Sequence, residues 1–339
     1  MRTPVGLGLV GLGSRGVALA RALGEIPGAD VRWITDQSPR AATGAGRLLP
    51  AARVACDLDA VLEDELVDAV VVATPLATRY GIARSALDAG KHVFMEAPLA
   101  MDGADADDLV RRAEAGRRQL GANHALLSHP GVRRLEALLA AGRLGDVYYL
   151  HADRLGPAEG GESVLWSAGA AAIGLVLHLV GDQPIEVVAQ GGSYGAGPAD
   201  VAFCHLRFAT GVRAQLSISS LEPQESRRLT VVCSHGTAVL DELRPQQPLT
   251  LTDATADALI SPRLDDWDPA RSRCEEFLAT VRSPGHSTQT GRAAAAVVAV
   301  VEALQRSLDC GGAAEPIGRL DAREEPQLAD VVKLPVQFA

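Results

Sequence analysis

The sequence predicts an α/β protein whose N-terminal part is a doubly wound parallel sheet, and three observations carry that reading. The short apolar run Val5–Val10 leads straight into Gly11-Leu12-Gly13-Ser14-Arg15-Gly16 and then a helical pattern through Leu23. Residues 68–74 (DAVVVAT) are nearly continuous in apolar character, as a strand covered on both faces must be. Strand-like and helix-like stretches alternate over the first third of the chain, the pattern of a parallel sheet with crossover helices. The full 339 residues exceed one core of ordinary size, so a second domain is expected.

Each element of the first part follows from its local pattern. In the G-x-G-x-x-G turn, Gly11 permits the tight bend, Gly13 lets a pyrophosphate approach the main chain, and Gly16 lets helix pack close to strand. The helix start, with Ser14 and Arg15 in its first turn, offers N–H donors and the positive dipole end to phosphates. Residues 31–35 read as a second strand ending at Asp36, about 20 residues past the glycine turn, where an acid can hold the adenosine ribose hydroxyls. A carboxylate there repels a 2′-phosphate, so NAD is the expected cofactor. Arg40, a little further on, carries a guanidinium able to fold onto such a phosphate and keeps NADP open. The strand at 68–74 ends at Thr74-Pro75, a helix at 80–89 is closed by Gly90, a strand at 92–95 precedes a turn set by Pro98, and 109–119 is a further amphipathic helix. Ligands of such sheets bind outside the carboxyl ends of the strands. That rule gathers Gly11, Gly13, Ser14, Arg15, Gly16, Asp36, Thr74, Pro75, Glu96 and Pro98 around one cleft as the cofactor-binding residues.

Composition bounds the rest. Apolar residues make up 47% and charged residues 22%, the balance of a globular protein rather than a disordered one. A formal net charge of −10 disfavours nucleic acid as a partner, since the surface as a whole repels phosphate. The run at residues 5–12 is short and broken by glycines, better used as a strand than as an export signal. The apolar stretch at 293–304 falls well short of the roughly 20 residues a bilayer requires and contains Glu302, so no membrane role is expected. Five cysteines stand singly, with no C-x-x-C and no metal spacing, which predicts reduced thiols in a cytoplasmic protein and no metal site.

Past residue 123 the pattern changes. Residues 132–142 read as a helix, 147–153 as a strand, and 202–208, 213–219, 228–234 and 237–240 as short β-branched runs punctuated by Gly211 and Gly236. Helices are expected at 271–281 and 292–308. The division is therefore a dinucleotide-binding domain over 1–123, a second domain over 124–317, and an extended tail over 318–339, rich in proline and charge.

The stretch Lys91-His92-Val93-Phe94-Met95-Glu96-Ala97-Pro98-Leu99-Ala100 closely resembles the "GKHVxxEKPLA" segment of the glucose–fructose oxidoreductase / inositol dehydrogenase (Gfo/Idh/MocA) family. Two further segments extend the resemblance: ATPLATRY at 73–80, where the family has "ATPxxTHY", so that Arg79 replaces a histidine; and HALLSHPGV at 124–132, where the family has "HTFLYNPAV". Within the family the sequence is nearest to sugar-nucleotide and aminosugar oxidoreductases carrying "TRLNLG…VLWDLAPHDI". Here the matching text is Asp153-Arg154-Leu155-Gly156 and then Val164-Leu165-Trp166-Ser167-Ala168-Gly169-Ala170-Ala171-Ala172-Ile173. The likeness runs from about Val5 to Leu308. It implies a C-terminal α+β domain with a largely antiparallel open sheet, and subunits paired through that sheet as a homodimer or homotetramer.

The resemblance also exposes three departures. The family's catalytic lysine falls on Ala97, its aspartate on Ser167 and its histidine on Ala171. Hydride transfer at an oxygen-bearing carbon also requires a proton moved at that oxygen, a task on which a placed acid or base confers about 10²–10⁴ in rate. His178, about two helical turns beyond Ala171, reads as a helix histidine away from the reacting atoms. The remaining catalytic candidates are His124, His129, Tyr149 and Arg154, of which the resemblance directs His129 and Arg154 into the cleft. Arg154 suits a polyhydroxylated or anionic small-molecule substrate. Three readings stay open: a nicotinamide-dependent oxidoreductase on a sugar-like or secondary-metabolite substrate with protons carried by other groups; a cofactor-binding protein of redox-neutral chemistry; and a catalytically silent homologue acting as a partner subunit.

Overall fold

The computed structural model describes residues 4–38, 41, 44, 46–157, 161–253, 258–283 and 289–318. The chain forms two compact units, one comprising the chain up to Ser128 together with Trp267–Glu302, the other His129–Asp266 together with the chain from Ala303 onward. Arg40 and residues 319–339 of the expected tail lie outside the described residues.

The first unit is a six-stranded parallel sheet of β1 (Val5–Val10), β2 (Ala29–Thr35), β3 (Arg53–Ala55), β4 (Ala69–Val72), β5 (His92–Glu96) and β6 (Leu120–Asn123). Its order is β3-β2-β1-β4-β5-β6, so strand succession reverses between β1 and β4, the switch point where such sheets open a crevice. Its helices are α1 (Ser14–Glu25), α2 (Asp59–Glu63), α3 (Leu76–Asp88) and α4 (Gly103–Gly116). β1 and β4 are buried along their whole length, as continuous apolar runs require.

Two differences from the sequence reading have local causes. α3 starts at Leu76 rather than 80, because Pro75 caps it and Thr78 Oγ1 donates back to Pro75 O at 2.9 Å. A single cut near residue 123 also misses the return of a late helix, α7 (Pro269–Arg282), to the first unit. Cys274, Phe277 and Leu278 of α7 join Leu7, Leu9, Ile34, Val71 and Phe94 in one core. Phe277 stacks on Phe94 with ring centroids 5.0 Å apart. Gly121 on β6 makes room for the pair, since a Cβ there would lie 3.0 Å from Phe277 Cδ2 and 3.1 Å from Phe94 Cδ2.

The second unit holds a nine-stranded sheet of β7 (Val147–Leu155), β8 (Pro184–Gly192), β9 (Val201–Phe208), β10 (Arg213–Ser219), β11 (Ser226–Cys233), β12 (Gly236–Asp241), β13 (Leu249–Asp253), β14 (Ala258–Ile260) and β15 (Glu315–Pro316). The order is β14-β13-β12-β11-β7-β10-β9-β8-β15, antiparallel except where β7 lies parallel to β10. With α5 (Pro130–Ala140) and α6 (Ala170–Val180) it forms the α+β architecture expected. The strands alternate with period two: Leu150, Ala152, Leu216, Ile218, Leu229 and Val231 are buried on one face. Tyr149 and Phe203, on the other, are each 48% exposed. The last helix, α8 (Gln289–Asp309), ends beside β8, where Ser307 Oγ accepts the Ala189 N–H at 2.9 Å.

Candidate cofactor site and the catalytic positions

The glycine turn joins β1 to α1 at the switch point. Gly11 has φ of +91°, and a Cβ there would lie 2.8 Å from the main chain of Ala73. At Gly16 a Cβ would lie 2.0 Å from Gly11 O, so both positions demand glycine for packing within the protein. Gly13 differs: a Cβ there would meet no atom within 4 Å, and Gly13, Ser14 and Arg15 are all exposed. Gly13 is also the N-cap of α1, whose first turn contains no acidic residue to offset its positive end. Open space in front of free N–H donors fits the pyrophosphate of a dinucleotide.

Asp36 ties the end of β2 to this turn. Its Oδ2 accepts the Leu12 N–H and its Oδ1 the Ser38 N–H, both at 2.7 Å. A carboxylate offers about four lone-pair sites, so each oxygen keeps one for a ribose hydroxyl. Thr74 stands just past β4, and its Oγ1 is buried without a hydrogen-bond partner among the described residues. An orphaned hydroxyl at the rim of a crevice is what a bound ligand would satisfy.

At the end of β5, Glu96 is buried at 7% exposure. Its Oε1 accepts Asn123 Nδ2 at 2.7 Å, across the β5–β6 register, and its Oε2 lies 4.0 Å from Arg15 Nη1. The Ala97–Pro98 peptide bond is cis. Ala97 is the partly exposed residue of this turn, between buried Glu96 and Pro98, so a methyl group stands at the accessible place the resemblance gives to lysine. The buried Arg79, in the first turns of α3, donates Nε to Thr74 O at 3.0 Å and Nη1 to Pro98 O at 3.0 Å and to Glu96 O at 3.4 Å. The first unit thus brings together the glycine turn, Asp36, Thr74, Pro75, Glu96 and Pro98. Asn123 and the bonds of Arg79 were not read from the sequence; the one available signal was the departure from histidine at 79. His124 follows β6 directly, half-buried, its N–H turned back to Ala122 O at 2.9 Å.

The other positions expected from the sequence to be catalytic belong to the second unit. Ser167 sits in a π-helical turn (Leu165–Gly169) and donates its hydroxyl to Ser163 O at 3.3 Å, within its own turn. Ala171 is exposed in the first turn of α6. His129 is the N-cap of α5, its Nδ1 accepting the Gly131 N–H at 3.0 Å, and burial holds its imidazole below the ordinary range. Arg154, on β7, is paired with Glu242 (Nη2 to Oε1 2.5 Å) with side chains 9% and 16% exposed, and its Nε is buried without a hydrogen-bond partner among the described residues. Tyr149 stands on the exposed face of the sheet. His178 Nε2 lies 3.4 Å from Glu136 Oε2, an α6–α5 contact. Among the described residues no three His, Cys, Asp or Glu side chains are grouped to hold a metal ion. Likewise no described helix is long and apolar enough to cross a membrane.

Comparison with known proteins agrees with this geometry. Residues 5–124 match the oxidoreductase family with an NAD-binding Rossmann fold (GFO_IDH_MocA), and residues 132–239 match the C-terminal domain of the same family. UDP-N-acetylglucosamine 3-dehydrogenase of Acidithiobacillus ferrooxidans is 29% identical over 242 residues, covering 70% of this chain and 74% of that protein. The structure of GenD2 from gentamicin A biosynthesis in complex with NAD superposes with a TM-score of 0.80 at 26% identity, over 94% of this chain and 97% of that one. The 2,7-anhydro-N-acetylneuraminate hydratase of Escherichia coli is 26% identical over 284 residues, 79% of this chain and 76% of that protein.

Proposed function

The chain belongs to the Gfo/Idh/MocA family of oxidoreductases, and from that premise we propose that it is an NAD-dependent oxidoreductase acting on a sugar-like or secondary-metabolite substrate without the family's lysine, aspartate and histidine. The observation that carries this reading is a complete dinucleotide turn facing a β5 end in which Ala97 has replaced the proton-handling group. Bound there, the cofactor would supply or accept hydride at its nicotinamide. Gly13 and the start of α1 would hold its pyrophosphate, and Asp36 its adenosine ribose. The carboxylate of Asp36 favours NAD over NADP, because a 2′-phosphate would meet a like charge.

Proton transfer then falls to other side chains. His124 is the candidate carried by the first unit, next to the Asn123 that bonds Glu96. His129 already serves as a helix cap. Arg154 is neutralised by Glu242, and such a pair offers N–H donors beside carboxylate acceptors. That combination suits neutral hydroxyls over a bare anion, so a polyhydroxylated ligand is the better match. The half-exposed Tyr149 and Phe203 support assembly of the chain as a homodimer or homotetramer through that face of the sheet.

A second reading, redox-neutral chemistry at the same cofactor site, is favoured by the likeness to a hydratase. Incubation of NADH deuterated at C4 with a panel of keto-sugar nucleotides and keto-aminosugars, whose carbonyl can accept the hydride, separates the two. Deuterium in product, with NADH consumed, supports the oxidoreductase; product formed with no net NADH loss supports the second reading. Failure to bind NADH at all would remove the basis of both.

A further inference from the structure

We propose that Arg79 is a positioning residue for the nicotinamide half of the cofactor: it fixes the spacing between the two loops that frame that end of the site. The inference rests on the cofactor reading above and extends it to a residue outside the expected binding set. β4 and β5 are hydrogen-bonded neighbours only as far as the register Val72↔Met95. Beyond it the two chains part, one into Thr74, Pro75 and α3, the other into Glu96, Ala97 and Pro98. The guanidinium of Arg79 spans that gap, binding Thr74 O on one side and Pro98 O and Glu96 O on the other.

The side chain type matters. A guanidinium holds its donors in one rigid plane, so fixing one carbonyl fixes the bearing of the others. An ammonium on a flexible stem binds carbonyls as a point charge and leaves their mutual orientation loose, and an imidazole has only two ring nitrogens. Arg79 is 4% exposed, which keeps water from competing for the three carbonyls. Its bonds converge on the segment that carries Ala97 and on the loop that presents the orphaned Thr74 Oγ1. Asp36 and the glycine turn, which would serve the adenosine and pyrophosphate, are tied to each other through the Leu12 N–H, away from the carbonyls that Arg79 binds. Loosening Arg79 should therefore disturb one end of the dinucleotide and spare the other.

The test compares NADH with ADP-ribose, which lacks the nicotinamide, on the full chain. Calorimetric titrations are run for wild type, Arg79→Lys and Arg79→Ala, with the emission of bound NADH recorded alongside. We expect Arg79→Lys to weaken NADH by about tenfold and to shift its bound emission toward that of free cofactor, reflecting lost charge-assisted bonds. ADP-ribose should stay within about twofold of wild type, as expected of a distant, independent contact. Arg79→Ala should show the larger loss of NADH; where it folds poorly, Arg79→Lys carries the comparison. Equal loss of both ligands, or no loss of either, would overturn the positioning role while leaving the cofactor reading intact. Wild type that binds neither ligand would overturn the cofactor reading, and this proposal with it.

Discussion

Replacing Gly13 by alanine separates the cofactor's demands on the glycine turn from the fold's own. The backbone at Gly13 (φ −64°, ψ −173°) is open to any residue, and an added Cβ would touch nothing within 4 Å. The stability of the cofactor-free protein should therefore change by no more than about 0.5 kcal/mol, the range of an unobtrusive surface change. A dinucleotide bound across the turn would meet that methyl where its pyrophosphate approaches the main chain. Lost N–H···phosphate bonds of the charge-assisted kind are worth about 1.5–3 kcal/mol, or roughly a ten- to hundredfold weaker NADH complex. Gly16→Ala is the contrasting case: its Cβ would lie 2.0 Å from Gly11 O, so it should destabilise the free protein by about 1–3 kcal/mol. Thermal or urea unfolding of the free protein, paired with NADH titration, reads both effects. A Gly13→Ala variant that keeps its stability and binds NADH as wild type does would refute the placement of the pyrophosphate.

Other predictions follow from single contacts. His129→Asn, which still caps α5, should leave stability at neutral pH nearly unchanged, whereas His129→Ala should cost about 1 kcal/mol. Because burial lowers the His129 imidazole, the unfolded chain takes up a proton that the folded chain refuses; its contribution is intact above the ordinary value near 6.5 and is lost as pH falls below it, and His129→Asn should flatten that part of the pH–stability curve. A thiol reagent should label Cys56 and Cys310 rapidly in the native protein and spare Cys204 and Cys274, whose thiols burial pushes up to about 12. Phe277→Ala, which removes the partner of Phe94, should destabilise the first unit by about 3–5 kcal/mol in denaturant unfolding. Ala97→Lys combined with Ser167→Asp and Ala171→His should raise dehydrogenase turnover by about 10²-fold with a sugar-nucleotide panel, and a folded, NADH-binding variant that stays inert would count against loss of these groups as the cause.

The sequence revealed most where periodicity and turn chemistry act together. Val5–Val10 and Arg213–Ser219 were read with the bounds the structure gives, because apolar runs ended at glycine or serine leave little freedom in where a strand stops. β3 escaped because it has only three residues, with Arg53 and Val54 exposed. β15 escaped because a two-residue strand carries no period at all. The return of α7 to the first unit was equally invisible: Cys274, Phe277 and Leu278 announce an apolar face but not which sheet that face will meet. At the candidate site, the pairing of Asp36 with the glycine turn was legible from spacing. Arg79 and Asn123 were not, since their bonds run to main-chain carbonyls and to a carboxylate distant in sequence, which no local pattern encodes.

Packing does not explain the small residues at the three positions to which the resemblance assigns catalytic groups. A core that had closed over them would hold alanine because nothing larger fits, and restoring a lysine or histidine would then overpack it. Instead Ala97 is partly exposed and Ala171 exposed, and the Ser167 hydroxyl merely bonds its own turn. None of the three is among the fully buried side chains of the core. Burial therefore does not dictate a small side chain at 97 or 171. Buried order is kept instead just beneath, where Arg79 holds the carbonyls on either side of Ala97. Position 79, where the resemblance gives a histidine, carries instead a buried guanidinium bonded to carbonyls of both loops. Order at this turn therefore rests on a contact particular to this chain, not on one held over from the family pattern.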